Sequence, residues 1–186
     1  MSVAVALFAL ITWQVAAGGP LRRLDERVGR AVVGHGPRWL TEFLADLGNT
    51  QVALPVLGCA LLWCLWRGER RAPLAAAVAM GLVPLLVVPV KEWVARPGPL
   101  TPDTGYYPSG HAATAAVAYG AAAVLLSRYT AWRWTMPVAS VLLTVATGIG
   151  LVLRGYHWPL DVAGSWCLCG VVLVVLGVVS RRVRRA

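Results

Sequence analysis

Long apolar stretches alternate with short charged segments along this chain. Six stretches contain no Asp, Glu, Lys or Arg: residues 1–21, 47–66, 72–90, 104–127, 134–153 and 162–180. Each is close to the roughly 20 residues that an α-helix needs to cross a bilayer. Because backbone polar groups in lipid must be satisfied internally, these stretches are predicted to be helices rather than open strands. The pattern therefore predicts an all-α bundle of six transmembrane helices, with both termini on one side.

The first apolar stretch has a second interpretation. Val15-Ala16-Ala17 resembles the small-residue site at which a signal peptide is cleaved. However, the stretch has no basic segment before its apolar part and is apolar almost from Met1, which favours an uncleaved first span.

Segment 22–46, between spans one and two, mixes charged and apolar residues. Its apolar members are Leu24, Val28, Val32, Val33, Trp39, Leu40, Phe43 and Leu44. Such a mixture is typical of helices that lie in the membrane interface. One or two short amphipathic helices are therefore predicted here.

Composition supports the membrane assignment. Apolar residues make up 58% of the 186 residues, charged residues only 13%, and the mean hydropathy is +0.67. These values exclude a disordered chain, a disulfide scaffold and almost any soluble enzyme. The four cysteines lie inside apolar stretches and are interpreted as small buried side chains.

The net charge of +9 is distributed in clusters between apolar stretches, which favours lipid headgroups over nucleic acid as the partner. In a six-span chain, one face carries Arg67, Arg70, Arg71, Arg128, Arg133, Arg181, Arg182, Arg184 and Arg185. The opposite face carries Arg22, Arg23, Arg27, Arg30 and Arg38, together with Lys91, Arg96 and Arg154. The positive-inside rule predicts that the nine-arginine face and both termini are cytoplasmic in the plasma membrane.

Three polar clusters interrupt the apolar pattern: residues 91–97, 107–111 and 154–161. In a six-span chain they lie at the ends of spans three, four and five, all on the outer face. Lys91 is the single lysine among seventeen basic residues. Ionisable residues at membrane boundaries are candidates for function, especially where they share a cavity.

The cluster at 107–111 suits an anion. Ser109 is a good N-cap for a helix that begins at Gly110, and free backbone N–H groups at such a start attract phosphate. The alternative is an ordinary helix cap, with His111 as an interfacial residue.

In the last cluster, His157 and Asp161 are four residues apart. At a helix start this spacing brings the carboxylate to the imidazole, where it fixes the tautomer and leaves the other ring nitrogen as a nucleophile or base. Pro159 between them is tolerable only in the first turn of a helix. A purely structural His–Asp pair is the alternative.

Together these clusters resemble the type 2 phosphatidic acid phosphatase (PAP2) family of integral membrane lipid phosphatases. The second family motif, Pro-Ser-Gly-His, is intact at residues 108–111, and the His-x-x-x-Asp half of the third is intact at His157 and Asp161. The first motif begins with Lys91. The resemblance covers most of the chain and implies a single membrane-embedded phosphatase domain over residues 1–186.

Two family arginines are absent from their usual places. The Arg-Pro of the first motif falls on Gly98-Pro99, and the arginine six residues before the motif histidine falls on Leu151. Arg96 and Arg154 lie two and three residues away and are predicted to substitute for them. The alternative is a weakened or repurposed site.

The resemblance implies phosphoryl transfer without a metal or cofactor. The implied catalytic residues are His157 as nucleophile, Asp161 as its orienting group and His111 as acid and then base. The implied phosphate-binding residues are Lys91, Arg96, Ser109, Gly110 and Arg154. A zinc site formed by His111, His157 and Asp161 is a competing interpretation, which the neighbouring cations disfavour.

The implied substrate is a lipid phosphate or diphosphate in the outer leaflet, such as undecaprenyl diphosphate or another polyprenyl phosphate, phosphatidic acid or phosphatidylglycerol phosphate. Two other classes stay open: a lipid-phosphate binder or transporter that has lost turnover, and a structural membrane protein with coincidental motifs. The sequence predicts no nucleic-acid partner and carries no prediction of oligomeric state.

Overall fold

A computed structural model of the chain describes residues 1–132 and 134–183. The described chain consists of helices and connecting loops: α1 (Ser2–Ala16), α2 (Pro20–Val32), α3 (Arg38–Asp46), α4 (Thr50–Trp66), α5 (Arg71–Val94), α6 (Gly110–Leu126), a 3-10 turn (Ser127–Tyr129), α7 (Thr135–Leu153) and α8 (Pro159–Val183). The predicted all-α membrane bundle is confirmed.

Four of these helices are long and apolar enough to cross a membrane alone: α5, α6 extended by the 3-10 turn to Tyr129, α7, and α8 up to Ser180. The other two predicted spans are shorter, because α1 has 15 residues and α4 has 17. Each is joined to an amphipathic helix through a bend, of 82° between α1 and α2 and of 46° between α3 and α4. By length and composition the described chain therefore has four to six candidate membrane spans, and α2 and α3 are the short helices predicted between spans one and two.

Helix α6 lies at the centre of the bundle. It packs against α4, α5, α7 and α8. Most of its residues are small and buried, and small side chains allow neighbouring helices to approach closely. A Cβ atom at Gly120 would lie 2.4 Å from a methyl group of Leu173 on α8, so a larger residue here would require the Leu173 side chain to move.

The alternation of helix directions brings one set of ends together. The ends of α5 and α7 and the beginnings of α4, α6 and α8 share one side of the bundle, which we call the site end. At the other end, Arg128 pairs with Glu69, which also accepts a hydrogen bond from Tyr129. Of the arginines that predict orientation, Arg133, Arg184 and Arg185 lie outside the described residues.

Candidate active site

The three polar clusters of the sequence meet at the site end. The ring centroids of His111 and His157 lie 6.4 Å apart. Lys91, on the last turn of α5, donates a hydrogen bond from Nζ to the carbonyl of Gly105 at 2.8 Å. Its Cε lies 4.0 Å from the position that a Cβ atom would take at Gly110. Residues as far apart in the chain as Lys91 and His157 thus share one small region.

Hydrogen bonds at Ser109 fix the second cluster against the third. The Ser109 side chain caps α6 by accepting from the N–H of Ala112 at 3.2 Å, as predicted. Its own N–H donates to the carbonyl of Asp161 at 3.0 Å. The hydroxyl of Ser165 lies 2.8 Å from the Ser109 carbonyl and 2.9 Å from that of Asp161. The start of α6 is therefore tied to the first turns of α8.

His157 lies in the loop just before α8, and Pro159 opens the helix as its first residue. The Nδ1 atom of His157 lies 3.4 Å from Oδ2 of Asp161, which also accepts from the N–H of Trp158 at 2.9 Å. His157 is 6% exposed and Asp161 is fully buried. Because the carboxylate engages Nδ1, Nε2 is the ring nitrogen left for chemistry.

His111 lies in the first turn of α6 and is exposed. Its Nε2 lies 3.3 Å from Oδ1 of Asn49, the N-cap residue of α4. The Asn49 amide in turn donates to Asp46 at 3.1 Å. Asn49 was not among the predicted site residues, because a lone Asn before an apolar stretch is typical of a helix cap.

Arg96 is placed differently from the sequence expectation. Its side chain is 0% exposed, and its Nη1 and Nη2 atoms donate to Oδ1 of Asp161 and Oδ2 of Asp25, each at 2.6 Å. Ala95, with φ of 45°, turns the chain at the end of α5 and so directs Arg96 into the protein. Both terminal nitrogens are thus held by carboxylates, which leaves them poorly placed to bind phosphate directly.

A large groove leads away from the histidines between α4, α5 and α6. Its volume is about 770 Å³. Asn49, Lys91 and His111 line one end of it. Apolar residues line the remainder: Leu54, Leu57, Leu61, Met80, Val83, Pro84, Val87 and Val88. Gly58 and Gly81 widen it, since a Cβ atom at either position would meet nothing within 4 Å.

Comparison with known proteins identifies the family. A family model of the PAP2 superfamily matches residues 72–185, more than half of the chain. The chain belongs to the PAP2 superfamily. Its fold is similar to the crystal structure of a transmembrane PAP2 type phosphatidylglycerolphosphate phosphatase from Bacillus subtilis, with a TM-score of 0.81, 21% identity and 98% of each chain covered. No curated protein matches the sequence.

The structure shows what occupies the two positions where PAP2 arginines were expected. A Cβ atom at Gly98 would lie 2.5 Å from the ring of Tyr106, so an arginine at this position would displace that ring. Leu151 is 1% exposed and packs in an apolar cluster with Ala45, Ala112 and Val162. Both positions are therefore structural in this PAP2 chain.

Arg154 follows the last residue of α7. Its guanidinium carbon lies 5.6 Å from the ring centroid of Tyr156, and its buried Nε has no hydrogen-bond partner among the described residues. Within the same described part of the chain, no carboxylate forms an ion pair with it. Arg154 does not line the groove. A role for Arg154 in phosphate binding stays a prediction.

A further contact joins Tyr107, which precedes the second motif, to α1. The hydroxyl of Tyr107 lies 2.8 Å from that of Thr12 on α1. Burial raises the pKa of Tyr107 to about 12, so its hydroxyl is neutral and can donate or accept at physiological pH. Among the described residues, no three His, Cys, Asp or Glu side chains are grouped so as to hold a metal ion.

Proposed function

We propose that this PAP2 protein is an integral membrane phosphatase that hydrolyses a phosphomonoester or diphosphate of a lipid. One observation carries the proposal: His157, backed by Asp161, faces His111 at the head of an apolar groove. The groove is large enough for part of a hydrocarbon tail, and His111 lines its polar end. The ring of His157 lies 6.4 Å from that of His111, so a phosphate headgroup at this end would lie near both imidazoles. A soluble phosphate ester has no hydrocarbon tail that could occupy such a groove.

The geometry supports two steps. In the first, Nε2 of His157 attacks the terminal phosphorus, and the bond from that phosphorus to the leaving oxygen breaks. The leaving oxygen is the alcohol oxygen of a lipid monoester or the bridging oxygen of a lipid diphosphate, and His111 donates a proton to it. In the second, His111 takes a proton from water, which attacks the phosphohistidine and breaks the P–N bond to release inorganic phosphate. Positioning and charge stabilisation dominate phosphoryl transfer, so two histidines and nearby cations can supply this chemistry without a metal or cofactor.

In this proposal Lys91 and the N–H of Gly110 at the start of α6 hold the phosphoryl oxygens, while Ser109, which is buried and already hydrogen-bonded to Asp161 and Ala112, fixes that helix start. Arg154 is proposed as a second cation for the same oxygens. Arg96 is assigned instead to holding Asp161, because both of its terminal nitrogens already bind carboxylates. The whole chain, residues 1–186, is proposed to act as one membrane-embedded phosphatase domain.

Orientation follows from the arginines. Arg67 and Arg70 lie between α4 and α5, and Arg71 is the first residue of α5, at the end of the bundle opposite the histidines. The positive-inside rule supports a cytoplasmic location for that end, with the site facing the extracytoplasmic side of the plasma membrane. The proposed substrates are therefore lipids of the outer leaflet: a polyprenyl diphosphate such as undecaprenyl diphosphate, phosphatidic acid, or phosphatidylglycerol phosphate.

The engagement of Arg96 favours a second candidate function. With that arginine occupied, fewer cations face the phosphate than the PAP2 resemblance implies, which suits a lipid-phosphate binder or transporter without turnover. Turnover separates the two candidates.

Phosphate release from purified protein tests the proposal. Protein in detergent, with EDTA, is assayed against the three lipid classes named above. Release is expected from at least one, and His157→Ala is expected to abolish it. His35→Ala, in an exposed loop, is the matched control and is expected to retain activity. No release from any lipid would favour the binder. Activity without His157, or loss of activity with EDTA alone, would contradict the mechanism.

A further inference from the structure

Asp25 is a buried acid on a helix whose other charged residues are partly or fully exposed. It lies on α2, and only 5% of it is accessible to solvent. A buried carboxylate is costly unless it is paired and hydrogen-bonded, so its partners define what it does. The sequence pattern of α2 is typical of an interfacial helix and does not indicate a buried carboxylate at Asp25.

Both oxygens of the Asp25 carboxylate contact the site. Oδ2 accepts from Nη2 of Arg96 at 2.6 Å. Oδ1 accepts from the backbone N–H of Leu160 at 2.8 Å. Leu160 is the second residue of α8, so this N–H is one of the four at a helix start that have no partner within the helix. Asp25 thus connects α2 to the turn that carries Asp161.

Arg96 extends this connection to the histidine. Its other terminal nitrogen, Nη1, donates to Oδ1 of Asp161, while Oδ2 of Asp161 faces Nδ1 of His157. The planar guanidinium holds its two carboxylates in fixed directions, which a flexible ammonium group does not do. The result is a buried chain of four charged or polar side chains: Asp25, Arg96, Asp161 and His157.

We propose that Asp25 is a positioning residue for the His157–Asp161 pair. It anchors Arg96 and the first turn of α8 together, so that Asp161 keeps one oxygen for the imidazole. Asp25 also shares the positive charge of Arg96, whose other carboxylate neighbours are Asp161 and, at 3.7 Å from Nη2, Glu26. Without Asp25, more of that charge would act on Asp161 and weaken that carboxylate as an acceptor. The catalytic part of this inference rests on the phosphatase activity proposed above.

The titration of His157 gives a readout that a purely structural role would not move. The chain has three histidines, so selective ¹⁵N-histidine labelling gives few ring signals, and His157→Gln assigns the one of interest. Charged and titratable groups surround the His157–Asp161 pair: Arg96, Lys91, His111, Tyr106, Tyr107 and, through Arg96, Asp25 and Glu26. Removing the negative charge of Asp25 disfavours the imidazolium form of His157. We therefore expect Asp25→Asn to lower the midpoint by roughly half a pH unit or more.

Two neutral variants and a matched control complete the experiment. Asp25→Asn leaves Arg96 paired with Asp161, and Asp25→Ser offers a smaller neutral acceptor for the N–H of Leu160. Glu42→Gln, which removes an exposed ion pair with Arg38 on α3, is the control and should leave the midpoint unchanged. In phosphate release, kcat is expected to fall about tenfold or more in the Asp25 variants while KM stays within about threefold.

The outcomes separate the two proposals. If wild-type protein releases no phosphate, the proposed phosphatase activity fails, whereas the titration still decides whether Asp25 acts on His157. An unchanged His157 midpoint in a folded Asp25 variant overturns the positioning role. A shifted midpoint with unchanged kcat overturns its importance for catalysis. A lowered midpoint together with a reduced kcat supports it.

Discussion

Nη1 of Arg96 donates to Oδ1 of Asp161 at 2.6 Å, and neither side chain is exposed to solvent. This ion pair fixes the Asp161 carboxylate, whose other oxygen faces Nδ1 of His157. We therefore expect Arg96 to contribute to catalysis through the Asp161 carboxylate rather than by contacting the phosphate.

Arg96→Gln is expected to lower kcat strongly and to leave KM nearly unchanged. Removing one partner of a buried ion pair costs about 3–5 kcal/mol, so the melting temperature in detergent should also fall. Arg38→Gln breaks an exposed pair with Glu42 and should change neither kcat nor the melting temperature, because such pairs contribute about 0–1 kcal/mol. Phosphate-release kinetics measure kcat and KM, and circular dichroism during heating measures the melting temperature. A large rise in KM with unchanged kcat would show that Arg96 binds phosphate after all.

Substitution of Arg154 tests whether this cation binds the phosphate. If it holds phosphoryl oxygens with Lys91, then Arg154→Gln and Lys91→Gln should each lower kcat/KM by about tenfold or more. Arg27→Gln, on the exposed face of α2, is the control. Kinetics on one lipid phosphate at fixed detergent concentration compare the three. An Arg154 variant that behaves like the Arg27 variant would make Arg154 an interfacial arginine.

Local features of the site could be predicted from the sequence. The Ser109 cap depends on a spacing of three residues at a helix start, which helix geometry fixes. The spacing of four residues between His157 and Asp161 places them on either side of the start of α8, where they come into contact. The convergence of the three clusters at one end follows from alternating helix directions, once the apolar stretches are taken as spans.

Contacts with α2 and α4 could not be predicted in the same way. Asp25 and Arg96 are 71 residues apart, and Asn49 and His111 are 62 apart. The first contact depends on the 82° bend between α1 and α2, which no local pattern specifies. Asp25 lies in a segment typical of an interfacial helix, and Asn49 lies at a position typical of a helix cap. Neither pattern indicates a role in the site.

Packing explains why a PAP2 arginine is absent at residue 98. Gly98→Ala is expected to lower the melting temperature, because the new Cβ would lie 2.5 Å from the Tyr106 ring, which itself contacts His157 at a centroid distance of 5.6 Å. Thermal unfolding of the two single variants and of Gly98→Ala/Tyr106→Ala forms a double-mutant cycle. We expect the double variant to be more stable than the sum of the single effects. Strict additivity would mean that the two residues do not interact.

The groove makes a prediction about tail length. Gly58→Leu fills open space in its wall and should lower kcat/KM for long-chain lipid phosphates, while a soluble short-chain phosphate ester is hydrolysed as before. Gly170→Leu, on α8, also projects into open space but not into the groove, and is the control. Competition between a long-chain and a short-chain substrate measures the ratio of their kcat/KM values. Equal effects on both substrates would place the tail elsewhere.

Trapping a phosphorylated protein tests the role of His157 most directly. Wild-type protein is mixed with a ³²P-labelled lipid phosphate, quenched in alkali within milliseconds and digested, and the label is assigned to a peptide. We predict an acid-labile, alkali-stable label on the peptide that contains His157, at up to one phosphoryl group per chain and absent from His157→Ala. Steady turnover with no trapped label, or with the label on another residue, would contradict a phosphohistidine at His157.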